Sequence, residues 1–324
     1  MTAESTTGAT PPREVTVRAP GKVNLQLSVG PVQPDGYHPL ATVFQAVDVY
    51  DFVTASLRED GEITIAVEAA PDRSIDGQVI DVKGVPLDDS NLAVRAARAV
   101  AEAYGITDGV DLAIVKSIPV AGGMAGGSAD AAAALVACAE VWDTGATRQE
   151  LAALGASLGA DVPFALHGHT AVGLGRGDVL SPAMTHGTFH WVFATQAEGL
   201  STRHVYAEFD EWVADGLLGG SDPRISDDVM TALIGGDPNA LGAALVNDLQ
   251  DAAIHLAPAL RDVITAAQEL DACGAVVSGS GPTVAALARN AQHALAIAAH
   301  IRSTGLADQV ITAQGPAQGA AVIA

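Results

Sequence analysis

Between Pro119 and Ser128 the chain reads Pro-Val-Ala-Gly-Gly-Met-Ala-Gly-Gly-Ser, four glycines and two alanines placed where a strand pattern gives way to a helical one. Small residues let backbone N–H groups approach a ligand closely, and the first turn of a helix leaves N–H groups without partners, so this segment suits a phosphate. A loop of small residues chosen for tight packing is the competing reading. The GxxxxGK[ST] spacing of a Walker A loop is absent. Ser128 falls where an N-cap belongs. Its hydroxyl reads as a cap worth about 1 kcal/mol or as a contact to Mg²⁺ or phosphate, and both can hold at once. Lys116, on the strand just upstream, is a scarce cation in a lysine-poor chain. It reads either as a solvated strand end or as a nucleotide contact.

Other segments carry less by themselves. Ser278-Gly-Ser-Gly-Pro282 follows a strand and reads as a second phosphate-side loop or as a plain strand-to-helix turn. Gly173, Gly175 and Gly177 mimic a dinucleotide fingerprint, but no helix follows and Pro182 interrupts the pattern, so a turn explains them better. His167 and His169 lack a third metal donor nearby, and His186 and His190 lack an HExxH context, so these four read as structural or surface histidines. Lys22, in Pro20-Gly-Lys-Val-Asn24, and Asp161, in Leu158-Gly-Ala-Asp-Val-Pro163, gain meaning only together. Alone, a strand lysine is usually solvated and an aspartate before a proline turn is usually a cap or turn former.

The elements that must position these residues can be followed along the chain. Alternating β-branched residues from Glu14 to Val29 predict an opening strand that ends at the turn signal Pro34-Asp-Gly36. Further strands are expected at 43–57 and 63–67. Asp89-Ser90 caps a helix over 91–104 that stops at Gly105. A strand at 110–118, the glycine-rich turn, a helix from about Ser128 to Val141 and another over 148–158 complete the first half. Strands at 190–195 and 275–277 mixed with helices at 258–270 and 291–303 give an α+β class.

Composition bounds the function. With 16 Lys plus Arg against 38 Asp plus Glu, the net charge of −22 argues against coating nucleic acid or an anionic membrane, so any anionic ligand must be held locally. The two cysteines, Cys138 and Cys273, have no CxxC partner and suggest neither disulfides nor zinc. No run approaches a membrane span, and the first dozen residues lack the form of a signal peptide. A cytoplasmic protein is expected. At 324 residues two domains are expected, 13–175 and 176–313, between a disordered tail at 1–12 and a tail at 314–324.

Taken together, the lysine segment, the Pro-x-x-x-Gly-Leu-type loop at 119–129 and the late Ser278-Gly-Ser-Gly-Pro-Thr283 loop resemble the GHMP kinases, in that order along the chain. Pro20-Gly-Lys-Val-Asn-Leu25, Pro34-Asp-Gly-Tyr-His38, Leu158-Gly-Ala-Asp-Val-Pro163 and Asn247-Asp-Leu249 are similar to the branch of that family that phosphorylates a cytidine diphosphate-linked polyol. The resemblance implies a two-domain GHMP kinase fold, with an N-terminal domain of the ribosomal S5 domain 2 type, a ferredoxin-like C-terminal domain and a site between them. It implies ATP and Mg²⁺ as cofactors. It also implies Lys22 and Asp161 as the catalytic pair and Asn24 beside the reacting hydroxyl. Tyr37, His38 and Tyr206 would hold cytidine. Lys116 and the loop Pro119, Val120, Ala121, Gly122, Gly123, Met124, Ala125, Gly126, Gly127, Ser128 and Ala129 would hold ATP.

The sequence departs from the family's pattern at Gly21, Ala121, Met124, Ala125, Ala129 and Asp130. Ala121 and Ala125 restrict a backbone that needs positive φ, and Ala129 lacks a hydroxyl that a metal or phosphate contact there would use. Two other readings stay open on the same fold: a homoserine- or mevalonate-type kinase, and a nucleotide-binding sensor without turnover. An RNA-binding module is opposed by the charge. Metal ligands and oligomeric state are not legible.

Overall fold

The computed structural model describes residues 13–71, 80–120, 122–217 and 222–323. The tail expected at 1–12 and Ala121 lie outside the described residues. Strand β1 (Glu14–Val29) runs antiparallel to β2 (Leu40–Arg58). β3 (Ile63–Ala69) is followed by α1 (Leu92–Tyr104) and then β4 (Gly109–Lys116), which lies parallel to β3 and antiparallel to the Phe52–Arg58 half of β2. Helices α2 (Gly126–Val141), α3 (Arg148–Leu158) and α4 (Val162–His167) come next. The hairpin β5 (Thr170–Gly175) and β6 (Val179–Pro182) then extends the other half of β2.

A second sheet opens with β7 (Phe189–Thr195). After α5 (Thr202–Ala214), α6 (Asp227–Gly235) and α7 (Pro238–Ala244), the short β8 (Val246–Asn247) returns to pair with β1. Then follow α8 (Gln250–Leu256), α9 (Ala259–Glu269), β9 (Gly274–Val277), β10 (Val284–Ala288), α10 (Ala291–Thr304), β11 (Gln309–Gly315) and β12 (Ala321–Val322). The second sheet has the order β11-β7-β10-β9, all antiparallel. With helices between its first and second and its third and fourth strands, this is the split βαβ arrangement of ferredoxin-like folds.

Strand alternation explains how the two sheets join. Phe189, Trp191 and Phe193 face the core shared with β1, β2 and α2, while Val192 and Ala194 face α9 and α10. Trp191 Nε1 donates to Gln45 Oε1 across 3.0 Å, tying β7 to β2. Helix α2 is alanine-rich and buried on nearly every side, as an all-apolar helix must be.

Several expectations change. The N-cap of α1 is Asn91, whose side chain accepts from the Ala93 N–H, not Asp89 or Ser90. The strand ends at Lys116 rather than Ile118, and Gly175 and Gly177, both at positive φ, make the β5–β6 turn. The segment expected as a tail from 314 instead closes the first sheet. Ala317 and Ala320 are buried, the His169 N–H donates to Ala317 O, the Ala320 N–H donates to Ala165 O, and Val322 pairs with Val17. A Cβ on Gly319 would stand 2.2 Å from Leu166 O, so the contact needs a glycine. We propose two lobes built on the two sheets. The recruitment of β6, β8 and β12 into the first sheet replaces a cut in the chain at 175.

Candidate active site

The site begins with irregular pairing in β1. Its register against β2 shifts between Pro20 and Gly21 and again between Asn24 and Gln26, so Lys22 and Asn24 sit on a short stretch re-aimed by bulges. Two apart, they share a face, while Val23 and Leu25 enter the core. Lys22 Nζ donates to Asn24 Oδ1 across 2.6 Å, Asn24 Nδ2 donates to Thr42 Oγ1 across 2.9 Å, and Thr42 donates to Gln26 O across 2.6 Å. The chain of donors fixes the lysine, which is 5% exposed. Burial lowers the Lys22 pKa, and the nearby charge of Asp161 partly offsets this.

Asp161 stands at the N-cap position of α4 but its side chain makes no capping bond, which leaves the carboxylate available to a ligand. Its charge also reaches Tyr206 on α5. Burial first and Asp161 second push the Tyr206 hydroxyl up to about 12. Lys22, Asn24, Asp161 and Tyr206 line one cavity of about 380 Å³ together with Phe44, Gly122, Gly123, Ala125, Gly126, Gly127, Ser128 and Arg176.

The glycine-rich segment supplies part of the cavity wall. Helix α2 starts at Gly126, two residues earlier than expected, because Ala125 takes the left-handed conformation at φ +60° and ends the loop there. Ser128 is therefore inside the first turn and not the cap. With no side chain capping α2, its first N–H groups remain free for an anion. Gly123 lies at φ +72°, and a Cβ there would stand 2.3 Å from Ser278 O. The second loop thus packs directly on the first, and Asn247 Nδ2 holds it by donating to Val277 O and Gly279 O, both at 2.7 Å.

Not every expected ligand residue reaches the cavity. Pro119, Val120, Met124 and Ala129 are absent from its lining; Met124 and Ala129 are fully buried behind it, and the Met124 carbonyl accepts from the Lys22 N–H. The hydroxyl missing at Ala129 would have pointed into the core. Lys116 is not solvated and does not line the cavity. Its ammonium is buried between Asp51 and Asp130, with the Asp130 contact at 2.6 Å. Burial disfavours its charge, but the two carboxylates outweigh this and raise its pKa. Asp51 also accepts from the Ser117 and Ile118 N–H groups at 2.6 and 2.8 Å, so the buried cluster anchors the start of the loop.

His38 and Tyr206 are brought together, with ring centroids 4.9 Å apart. His38 Nδ1 lies 2.9 Å from Gly30 O and Nε2 lies 3.5 Å from Asp210. Neither Tyr37 nor His38 is in the cavity lining; Tyr37 is 53% exposed, with the Arg176 guanidinium over its ring. Sequence reasoning missed Phe44, Arg176 and Thr202, whose hydroxyl lies 2.8 Å from that of Ser280 in the second loop. The only signal for Arg176 was its place in the glycine-rich turn. Among the described residues no group of three acidic, histidine or cysteine side chains is arranged to hold a metal.

An uncapped helix start that shares one cavity with a buried lysine and a non-capping aspartate is the set of parts a small-molecule phosphotransferase needs. Residues 91–169 match the GHMP kinases N terminal domain and residues 229–306 match the GHMP kinases C terminal domain. The chain is 52% identical to the 4-diphosphocytidyl-2-C-methyl-D-erythritol kinase of Thermobifida fusca (strain YX), over 96% of this chain and 99% of that protein. It is 50% identical to the enzyme of the same name from Streptomyces coelicolor, over 95% and 99% respectively. A crystal structure of 4-(cytidine 5'-diphospho)-2C-methyl-D-erythritol kinase superimposes with a TM-score of 0.72 at 28% identity, covering 92% of this chain and 98% of that one. The chain belongs to the 4-diphosphocytidyl-2-C-methyl-D-erythritol kinase family of GHMP kinases.

Proposed function

We infer that the protein transfers the γ-phosphoryl group of ATP to the 2-hydroxyl of 4-diphosphocytidyl-2-C-methyl-D-erythritol, a step toward isoprenoid precursors by the non-mevalonate route. The observation that carries this is one cavity lined by Lys22, Asn24, Asp161, the start of α2 and Tyr206, with His38 against the Tyr206 ring. The cytoplasm is the compartment we propose. Two cysteines without partners support it, and no helix among the described residues is long and apolar enough to cross a membrane.

In this reading Gly122, Gly123, Gly126 and Gly127 offer backbone N–H groups to the ATP phosphates, and α2 contributes the positive end of its dipole. Transition states of phosphoryl transfer are loose, so Asp161 serves by aiming the acceptor hydroxyl as much as by taking its proton. Lys22 is held by Asn24, and phosphate charge at the site favours its ammonium form. At 4 Å and an effective dielectric of 20, one such contact is worth about 4 kcal/mol before desolvation. Mg²⁺ bound with ATP would supply charge neutralisation on the phosphates. Because Mg²⁺ keeps several waters and takes few protein ligands, the donors present fit it. Asp161 and Ser128, which line the same cavity, would hold it.

The test is ADP release by the purified protein with Mg-ATP and the cytidyl alcohol, beside homoserine and mevalonate. Turnover restricted to the cytidyl alcohol supports the reading. Turnover with one of the others overturns the substrate, and ATP binding without any turnover overturns the kinase.

A further inference from the structure

Among the described residues two cations line the cavity, Lys22 and Arg176, and only Lys22 has a task in the reaction above. Arg176 projects from the β5–β6 turn. Its Nη2 pairs with Asp35 at 3.2 Å, and its guanidinium carbon lies 3.6 Å from the centre of the Tyr37 ring. Arg176 and Asp35 are 50% and 56% exposed, so their pairing is weak and readily exchanged for a better anion.

Position decides which anion. Gly175 pairs with Leu40 and Lys22 pairs with Ala46, which separates the turn from the lysine by roughly 20 Å along β2 at 3.4 Å per residue. Arg176 therefore belongs to the end of the cavity near Tyr37, while the phosphate loop and the start of α2 serve the other end. In the covalent order of the second substrate, the diphosphate lies between the base and the reacting alcohol. A planar guanidinium offers paired N–H donors that match neighbouring phosphoryl oxygens.

We propose that Arg176 binds the diphosphate of the second substrate, leaving Asp35 and the face of Tyr37 as that substrate enters. This rests on the cytidyl diphosphate reading above. The exchange uncovers the Tyr37 ring at the moment a base arrives, so diphosphate recognition and stacking on Tyr37 are linked.

The test is steady-state kinetics of the full chain with Arg176→Ala, Arg176→Lys and Asp35→Asn. Arg176→Ala raises KM for the cytidyl alcohol roughly ten- to hundredfold, leaves KM for ATP within about twofold, and Arg176→Lys restores part of the loss. Asp35→Asn lowers KM for the cytidyl alcohol, because the competing carboxylate charge is gone. Inhibition by cytidine diphosphate weakens in Arg176→Ala while inhibition by cytidine does not. Equal weakening of both inhibitors, or an unchanged KM in Arg176→Ala, overturns the assignment while leaving the kinase intact. Turnover of a different alcohol by the unaltered protein overturns the substrate reading and this proposal with it.

Discussion

The Ser278 hydroxyl donates to the Gly123 carbonyl across 3.1 Å, so the loop after β9 grips the loop after β4. Two segments far apart in the chain thereby set one anion-binding surface. Gly123→Ala puts a methyl group into the Ser278 carbonyl at a φ that favours glycine. We expect ATP affinity to fall at least about tenfold and stability to drop by roughly 1–3 kcal/mol. Nucleotide titration and thermal melting check this, and unchanged affinity would mean the loops relax apart without harm.

Asp161 separates chemistry from architecture. Because its side chain caps nothing, Asp161→Asn should lower kcat by roughly 10²- to 10⁴-fold with little change in melting temperature. A capping role would instead cost about 1 kcal/mol of stability. The same substitution removes the negative charge that props up the Lys22 ammonium, so the Lys22 amine should titrate at a lower pH than in the unaltered protein. NMR of the lysine side chain reads that shift; movement in the other direction would refute the coupling.

Tyr206 contributes a ring rather than a proton. With its hydroxyl pushed up to about 12, it stays protonated at neutral pH. Tyr206→Phe should leave KM for the cytidyl alcohol within a few-fold, whereas Tyr206→Ala should raise it about ten- to hundredfold by removing a stacking surface. KM for ATP should hold in both. Equal losses in the two variants would assign the effect to the hydroxyl.

The buried cluster beneath the phosphate loop predicts a pH dependence of folding. Burial, only partly offset by Lys116, pushes Asp130 up to about 8. Its folded pKa thus exceeds the unfolded value near 3.8. Such a group contributes stability that is whole below about pH 4 and is lost as the pH rises through about 8. Asp130→Asn should therefore gain on the unaltered protein in melting temperature between about pH 5 and pH 9. Parallel melting curves over that range would show that Asp130 does not change charge there. Lys116→Met leaves the buried Asp51 carboxylate without its cation and should cost about 3–5 kcal/mol.

Much of this was legible in the sequence because glycine and charge are loud signals. The run Gly122–Gly123 and Gly126–Gly127 before an alanine-rich helix marked a loop that does line the cavity, the rarity of lysine drew attention to Lys116, and Lys22 stood out only beside Asp161. What lysine scarcity cannot tell is which way a side chain points. Lys22 and Lys116 both sit on strands, yet one faces the cavity and the other is enclosed by Asp51 and Asp130, partners 65 and 14 residues away. The start of α2 was misplaced because serine is the usual cap signal, while the real stop is Ala125 in a conformation alanine seldom takes. Arg176 was hidden for a different reason. Its role depends on a hairpin that brings it beside Tyr37, and no local pattern announces such a meeting. The 314–323 segment misled because alanine and glycine give weak hydrophobic contrast even when they are buried.

The pairing of Val17 with Val322 carries a consequence for how the molecule is made. Chains emerge from the ribosome N-terminus first, and domains usually fold as they emerge. Here β1, which carries Lys22, is synthesised early, but the strands that flank it opposite β2 are β8 and β12. The first sheet is therefore completed only after every strand of the second sheet has been translated. A message cut short after β11 would encode Lys22, Asp161, Arg176 and both glycine loops, and still leave β1 unpaired at Val17 and Arg18 on the flank away from β2.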